Sequence, residues 1–193
     1  MGEMMEKSLG AVKISHEVIK RFVKEGDICI DATAGRGNDT AFLCSLVKET
    51  GKVLAFDIQK EAVKSTKERL ENEGYSQIGE VFCESHENMD KYAGENTVSC
   101  ITFNLGWLPG GDHSICTRAE STISAIEKGL KLLKSGGIIS ICIYYGKDNG
   151  FSEKDAVIGY LKTIDFRQYS VFLGDFINRP NNPPIVAFVV KNM

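Results

Sequence analysis

The residues best suited to chemistry lie in residues 28–40, which read ICIDATAGRGNDT. An apolar run ends in an acid, Asp31, and a turn containing Gly35 and Gly37 leads into an apolar-periodic segment. Glycines let the backbone approach a ligand closely, and the first N–H groups of a helix attract ligand oxygens. With Asn38 or Asp39 as the expected N-cap, the pattern predicts a strand, a ligand-binding turn and a helix. A purely structural turn would show the same pattern.

A second group of polar residues follows two further apolar runs. Asp57 ends the run 53–56, 20 residues after Gly37, and a carboxylate at that spacing can accept hydrogen bonds from ribose hydroxyls. Gln59 is expected to reach the ribose or the adenine edge. Ser85 and His86 follow the next predicted strand and suit the edge of an adenine base, although a lone histidine is more often a surface or helix-start residue. These residues predict a bound nucleoside.

A fourth apolar run ends at Asn104, and a glycine-rich segment, 105–116, follows it. Its irregular composition predicts a functional loop. Trp107 offers a flat apolar wall for a base, although a lone tryptophan is more often simply packed. Ligands of open α/β sheets bind outside the carboxyl ends of the strands, so Asn104 is expected beside the glycine turn.

The elements that must position these residues alternate along the chain. Strands are predicted at 28–31, 53–57, 78–83, 96–104, 138–145, 168–173 and 185–190, and helices at 16–24 after Ser15 as N-cap, from 38, at 60–72, from 119 to the glycines at 136–137, and at 152–163 after Ser152 as cap. Alternation of this kind predicts an α/β fold with a mainly parallel sheet and crossover helices. The last two strands, joined without a helix, predict an antiparallel hairpin.

The composition bounds the class of protein. The 193 residues suit one domain, 1–193, and 42% hydrophobic with 25% charged residues is typical of a soluble globular protein. A net charge of −3 indicates no overall basic surface of the kind that binds nucleic acid broadly, but it is compatible with a local basic patch. Six cysteines without a C-x-x-C predict reduced thiols and no metal site. Without a signal peptide or an apolar run of roughly 20 residues, we expect a cytoplasmic protein with no membrane segment.

The motifs together resemble a known family. DATAGRGNDT, FDIQ, SH, NLGWLPGGD and the late NNPP are similar to the small bacterial family labelled rRNA methylases, within the class I S-adenosylmethionine methyltransferases. The similarity runs from about residue 8 to 190, and the NLGWLPGGD loop is its most specific part. It implies a Rossmann-like class I methyltransferase fold: a mainly parallel seven-stranded sheet with helices on both faces and a C-terminal antiparallel hairpin.

The resemblance also implies an activity. Characterised members are similar to the tRNA methyltransferase that N-methylates the aminomethyl group of 5-aminomethyl-2-thiouridine at the wobble position, with S-adenosyl-L-methionine as cofactor. Asn104 stands where amino-group methyltransferases hold the acceptor nitrogen, and Asp112 could accept a proton or orient the amine. By matching position, the implied cofactor contacts beside Gly35 and Gly37 are Asn38, Asp39, Asp57, Gln59, Ser85 and His86.

The expected partner is the anticodon stem-loop of tRNA, with a homodimer as a further option. Local cations and aromatic side chains are expected to contact the RNA. The candidates are Trp107, Arg118, Tyr145 and Arg179, although each charge alone could equally be a solvated surface residue.

Three other functions remain open from the sequence. An rRNA or a small molecule could be the methyl acceptor instead of tRNA. A nicotinamide-dependent oxidoreductase could use the same turn and Asp57, but Thr40 occupies the position where a dinucleotide fingerprint has a third small residue. A nucleotide-binding module without catalysis would bind the cofactor tightly and show no turnover.

Overall fold

The central feature of the fold is a seven-stranded sheet. A computed structural model describes residues 9–106, 117–146 and 150–193. The strands are β1 (Ile28–Asp31), β2 (Lys52–Asp57), β3 (Gly79–Cys83), β4 (Val98–Leu105), β5 (Leu133–Ile143), β6 (Tyr169–Gly174) and β7 (Ile185–Lys191). Their spatial order is β3-β2-β1-β4-β5-β7-β6. Strands β1 to β5 pair in parallel, and β7 pairs antiparallel with both β5 and β6, which confirms the predicted hairpin.

Helices cover both faces of the sheet. They are α1 (Ala11–Ile19), α2 (Asn38–Val47), α3 (Lys60–Asn72), α4 (Ala119–Leu132) and α5 (Gly150–Leu161), with a 3-10 helix at His86–Lys91. One hydrophobic core joins α1, α2 and α3 to the sheet, and the other joins α4, α5 and the 3-10 helix to its opposite face. Because both faces are covered, the central strands are nearly continuous apolar runs.

The order of the strands reverses between β1 and β4. The chain passes from β1 outward to β3, then returns to place β4 on the other side of β1. The carboxyl ends of β1 and β4 therefore border the crevice where open α/β sheets bind ligands. Ile185 at the start of β7 pairs with Ile143 at the end of β5, so the loop before β7, residues 175–184, reaches this same edge.

Several predicted helix boundaries are wrong, whereas α3 lies where the sequence places it. The first helix is Ala11–Ile19 with Gly10 as N-cap, not 16–24 with Ser15 as cap. Ser15 lies inside this helix, buried, with its Oγ 2.7 Å from Ser140 Oγ of β5. The apolar periodicity of residues 18–23 continues past the helix end because these side chains pack in the following turn.

The other two errors concern α4 and α5. α4 ends at Leu132, earlier than the predicted glycine stop, because Leu133 already pairs with Val98 as the first residue of β5. α5 is described from Gly150, so Ser152 lies within the helix and is not its cap.

Three findings bear on the predicted class of protein. In the described ranges, no helix is long and apolar enough to cross a membrane. The same ranges contain no group of three or more His, Cys, Asp or Glu side chains arranged for a metal ion. The five described cysteines are free thiols, and all except Cys83 are buried.

Candidate functional site

The glycine turn between β1 and α2 depends on two left-handed residues. Gly35 has φ 54° and Gly37 has φ 76°, a region that side-chain-bearing residues seldom adopt. A Cβ on Gly37 would lie 3.0 Å from Thr66 Cα of α3 and 3.2 Å from Arg69 Cδ. Gly37, and not Asn38 or Asp39, is the N-cap of α2, so the predicted side-chain cap is wrong. The strained φ and the tight contact with α3 both require glycine at this position.

Hydrogen bonds hold the turn between its neighbours. Thr66 Oγ1 donates to the Gly35 carbonyl at 3.2 Å, and Arg69 Nε donates to the Arg36 carbonyl at 2.9 Å. The Gly35 N–H donates to Asp57 Oδ2 at 3.0 Å. The turn is therefore fixed to α3 through its carbonyls and to the end of β2 through an amide.

Asp31, the acid that ends β1, is fully buried beneath the turn. Its carboxylate accepts a hydrogen bond from the Thr40 hydroxyl at 2.6 Å and one from the Thr33 N–H at 3.2 Å. Burial, followed by the charge of the nearby Asp39, raises the pKa of Asp31 above its ordinary value. The Thr40 hydroxyl thus supplies a hydrogen bond to a buried acid. This role accounts for a threonine at the position where a dinucleotide fingerprint has a third small residue.

Asp57 and Gln59 lie at the carboxyl end of β2, half-buried beside the turn. Asp57 Oδ1 accepts the Gln59 N–H at 2.9 Å, and Oδ2 accepts the Gly35 N–H. Each carboxylate oxygen can accept a second hydrogen bond, so the side chain keeps capacity for two ribose hydroxyls. Between these two residues, the side chain of Ile58 is 61% exposed, a feature that the sequence reasoning missed. An exposed apolar side chain here suits the face of a base.

Ser85 and His86 follow β3 and begin the 3-10 helix. Ser85 is the N-cap, because its Oγ accepts the Glu87 N–H at 3.3 Å. His86 Nδ1 lies 3.1 Å from the Ala32 carbonyl, which can only accept, so Nδ1 carries the proton. Burial lowers the pKa of His86 and keeps the ring neutral, which makes Nε2 an acceptor. This atom is buried and has no hydrogen-bond partner in the part of the chain that the structure describes.

Asn104 lies near the end of β4 and is connected to α2. Its Nδ2 donates to Asp39 Oδ2 at 2.8 Å, and its backbone N–H donates to Thr33 Oγ1 at 2.7 Å. The other oxygen of Asp39 lies 2.8 Å from Nε2 of His16. The structure thus brings the predicted residues Asn104 and Asp39 into direct contact. His16 joins this contact as a third residue. It lies far from Asn104 in sequence, and the sequence predicted it only as part of a helix.

The residues predicted to contact RNA lie at this edge of the sheet but separately from one another. Arg118 is exposed and directly precedes α4. Tyr145 follows β5 and is partly buried, with Lys154 Nζ 4.6 Å from its ring centroid. Arg179 is exposed in the loop before β7, and its guanidinium lies 3.9 Å from the ring centroid of Phe176. In the part of the chain that the structure describes, no hydrogen bond, ion pair or ring contact joins Arg118, Tyr145 and Arg179 to one another.

Trp107 and Asp112, the remaining predicted site residues, lie outside the described residues. The residues that flank them are joined to each other. The Gly106 N–H donates to Thr117 Oγ1 at 2.9 Å, and the Thr117 N–H donates to the Gly106 carbonyl at 3.0 Å. Thr117 Oγ1 also donates to Glu153 of α5 at 2.8 Å. Both flanks of residues 107–116 are thereby anchored beside Asn104.

Comparison with known proteins identifies the family. The family model "Putative rRNA methylase" matches residues 53–190. A tRNA (mnm(5)s(2)U34)-methyltransferase, chloroplastic, of Arabidopsis thaliana is 35% identical over 190 residues, which cover 94% of this chain and 69% of that protein.

Two solved structures extend this similarity to the whole fold. The crystal structure of a "putative rRNA-methylase" from Clostridium thermocellum has 48% identity and a TM-score of 0.93, and the match covers 96% of this chain and 99% of that one. The crystal structure of a "putative methyltransferase" from Streptococcus mutans in complex with SAH (S-adenosylhomocysteine) has 35% identity and a TM-score of 0.87, and the match covers 95% of this chain and 99% of that one.

These matches decide between the open alternatives for the class of reaction. SAH is what remains of the methyl donor after transfer, so its presence in the Streptococcus mutans structure indicates S-adenosylmethionine as the cofactor of the family. The family model and the Arabidopsis thaliana relative favour methyl transfer over nicotinamide-dependent oxidation and over binding without catalysis. The chain belongs to the "Putative rRNA methylase" family and is an S-adenosylmethionine-dependent methyltransferase.

Proposed function

We propose that this methyltransferase acts on tRNA and N-methylates the aminomethyl group of 5-aminomethyl-2-thiouridine at the wobble position, giving 5-methylaminomethyl-2-thiouridine. The Arabidopsis thaliana relative, similar over 94% of the chain, carries a name that specifies this type of nucleoside. The observation that carries the proposal is the amide of Asn104, whose NH₂ group is held by Asp39 at the strand-order reversal. Such an amide can align an amine for methylation.

The residues around the glycine turn fit the cofactor. Asp57 keeps acceptor capacity for the ribose hydroxyls, and Gln59 lies beside it. His86 is the proposed contact for the adenine edge: its Nε2 is an acceptor without a partner among the described residues, and a shift of the side chain that uncovers this atom would let it accept from the adenine amino group. The remaining proposed contacts come from the turn, from the start of α2 and from the 3-10 helix cap: Gly35, Gly37, Asn38, Asp39 and Ser85. The bound cofactor supplies an electrophilic methyl group on a sulfonium.

The chemical step requires little more than alignment of the acceptor. The Asn104 carbonyl oxygen accepts an N–H from the aminomethyl group, which directs the nitrogen lone pair at the methyl carbon. The nitrogen–carbon bond forms as the sulfur–carbon bond breaks, and the resulting ammonium then loses a proton. A primary alkyl amine is mostly protonated in neutral water, so the site must favour its neutral form. We assign the role of proton acceptor to Asp112.

The surface for the anticodon stem-loop includes Arg118, Tyr145 and Arg179, together with Trp107. The first three reach the carboxyl-end edge of the sheet from three separate segments, so they can surround a base presented to Asn104. Arginine side chains suit phosphates, and an aromatic ring suits a stacked base.

A specific observation favours a second candidate acceptor. The description of the matching family names rRNA, so an rRNA nucleotide is the second candidate acceptor. The experiment that separates the candidates incubates the protein and S-adenosylmethionine with total tRNA or with rRNA, both from a strain lacking the endogenous methyltransferase. Digestion and mass spectrometry then identify the methylated nucleoside. Methylation in the tRNA digest alone supports the proposal, and methylation in the rRNA digest alone refutes it.

A further inference from the structure

One carboxylate connects the N-terminal helix to the proposed catalytic amide. Asp39 of α2 has one oxygen 2.8 Å from His16 Nε2 of α1 and the other 2.8 Å from Asn104 Nδ2 of β4. The Asp39 side chain is only 9% exposed and that of His16 is 24% exposed. The three residues come from separate elements, so the chain of contacts exists only in the folded protein.

The chemistry of the three groups fixes their orientation. A carboxylate can only accept, so His16 Nε2 must carry a proton and the NH₂ group of Asn104 must face Asp39. The carbonyl oxygen, on the other side of the planar amide of Asn104, then faces away from Asp39. Without a partner, the terminal torsion of asparagine is broad, and both orientations of the amide are accessible. Asp39 therefore selects the orientation that offers an oxygen to an amine.

The imidazole of His16 is itself held in place. Its ring stacks on Phe42 of α2, with centroids 3.7 Å apart and an angle of 6° between the planes. The neighbouring residue, Ser15, is buried and its Oγ lies 2.7 Å from Ser140 Oγ in β5. The helix that carries His16 is thereby anchored to the sheet, and its histidine is a rigid donor to Asp39.

We propose that His16 and Asp39 are positioning residues that fix the amide of Asn104 for methyl transfer. The proposal rests on the proposed role of Asn104 and extends it. The proposed contact of Asp39 with the cofactor is retained, and the carboxylate has a second role through Asn104. Without the N–H donor of His16, the Asp39 carboxylate is free to rotate, and the Asn104 amide can rotate with it. A displacement of about 1 Å at a reacting group can lower the rate by ~10²-fold.

The test compares three variants. His16→Phe keeps a ring that can stack on Phe42 but removes the N–H donor. His16→Gln keeps an N–H group near the position of Nε2 but removes the ring. Phe42→Leu, the matched control, disturbs the same packing and retains the donor. Circular dichroism and thermal melts establish that each variant is folded.

We expect the hydrogen bond, and not the stack, to determine the rate. For His16→Phe, kcat should fall by roughly 10- to 100-fold, while KM for the RNA and Kd for S-adenosylmethionine change by less than about twofold. His16→Gln should recover most of the lost kcat, and Phe42→Leu should stay close to wild type. Wild-type kcat in His16→Phe, or no recovery in folded His16→Gln, would overturn the proposal.

A second readout does not require any RNA substrate. The side-chain amide resonances of Asn104, assigned by their loss in Asn104→Ala, report whether its NH₂ group is hydrogen-bonded and protected from exchange. Protection should be lost in His16→Phe and kept in His16→Gln. If the wild-type protein does not methylate tRNA, this measurement still decides the positioning proposal. Unchanged protection in His16→Phe would overturn it whatever the substrate is.

Discussion

Asp57 and Asn104 perform separate tasks at the two sides of the strand-order reversal. Asp57 anchors the glycine turn and keeps acceptor capacity at the end of β2, whereas Asn104 is held by Asp39 near the end of β4. Changes at the two positions should therefore affect different measured constants.

Asp57→Ala should nearly abolish binding of S-adenosylmethionine. The change removes two charge-assisted acceptors, each worth about 1.5–3 kcal/mol, so affinity should fall by roughly a hundredfold or more. Isothermal titration calorimetry measures the loss, with Asp57→Asn as the control that retains one acceptor oxygen. Affinity near wild type in Asp57→Ala would contradict the ribose assignment.

Asn104→Ala should leave cofactor binding nearly intact and reduce turnover. The amide is proposed to contact the acceptor amine, so its loss misaligns the amine and should lower kcat by ~10²-fold. Single-turnover kinetics together with calorimetry separate the two effects. Full turnover by the alanine variant would remove Asn104 from the mechanism.

His86 should make folding stability depend on pH. Burial lowers its pKa in the folded protein below 6.5, the ordinary value expected in the unfolded chain. The unfolded chain therefore binds a proton first as the pH falls below 6.5, and the free energy of unfolding decreases until the folded pKa is reached. Urea unfolding at pH 7.5 and at about pH 5.5 should show a larger loss for wild type than for His86→Gln. Equal losses would show that His86 is not buried in its neutral form.

At this scale the sequence indicates candidate residues but not the contacts between them. Asn104 was selected because it ends a predicted strand, and Asp39 as an expected N-cap and by its matching position in the family. Their contact joins residues 65 positions apart, and the bond from His16 to Asp39 joins residues 23 positions apart. Neither separation is a periodic spacing, so only the packing of α1, α2 and β4 reveals them.

At the scale of elements, Glu153 joins α4, α5 and the flanks of residues 107–116. Its buried carboxylate accepts hydroxyl bonds from Thr117 at 2.8 Å and Thr122 at 3.1 Å, and burial raises its pKa. Thr117 in turn pairs with Gly106 through both backbone and side chain. This cluster fixes the positions of Gly106 and Thr117, the two residues that flank 107–116.

Thr117→Val should destabilise the protein by about 1–3 kcal/mol, because the Gly106 N–H loses its side-chain acceptor and the Glu153 carboxylate keeps only the hydrogen bond from Thr122. Chemical denaturation measures the change, and Thr117→Ser, which keeps the hydroxyl, is the control. If Val and Ser variants have equal stability, the hydroxyl does not hold these elements together.

Element boundaries were predicted well where the residues that start or stop a helix agree with the packing. α3 begins and ends where the sequence places it because charged residues and Gly74 surround a regular apolar stripe. α1 was placed too late because apolar residues 18–23 keep a helical spacing past Ile19, where the structure has turns. The glycine pair 136–137 suggested a helix end, but pairing with β4 extends β5 back to Leu133.

At the scale of the whole molecule, the topology brings separate chain segments to one edge. β4, β5 and the loop before β7 all reach the edge that holds the glycine turn. The alternation of strands and helices was sufficient to predict a mainly parallel sheet with a terminal hairpin. The strand order is a finding of the structure, because local sequence patterns do not specify which strands become neighbours.

Two local cations should determine the salt dependence of RNA binding, since the chain carries a net charge of −3. Arg118→Gln and Arg179→Gln should each weaken tRNA binding and reduce the slope of log affinity against log salt by roughly 0.7 per lost phosphate contact. Arg167→Gln is the matched control, because Arg167 precedes β6 at the opposite edge and pairs with Asp165. Fluorescence anisotropy over a salt series measures all three, and equal slopes would place the RNA elsewhere.

The most direct test of the proposed reaction uses a synthetic anticodon stem-loop with 5-aminomethyl-2-thiouridine at the wobble position. The protein is incubated with this RNA and S-adenosylmethionine, and nucleoside mass spectrometry follows the wobble residue. A matched stem-loop with 2-thiouridine, which lacks the aminomethyl group, is the control. We predict the gain of one methyl group on the first RNA and none on the second. No gain on either RNA, with cofactor binding measured in the same preparation, would contradict the proposed reaction.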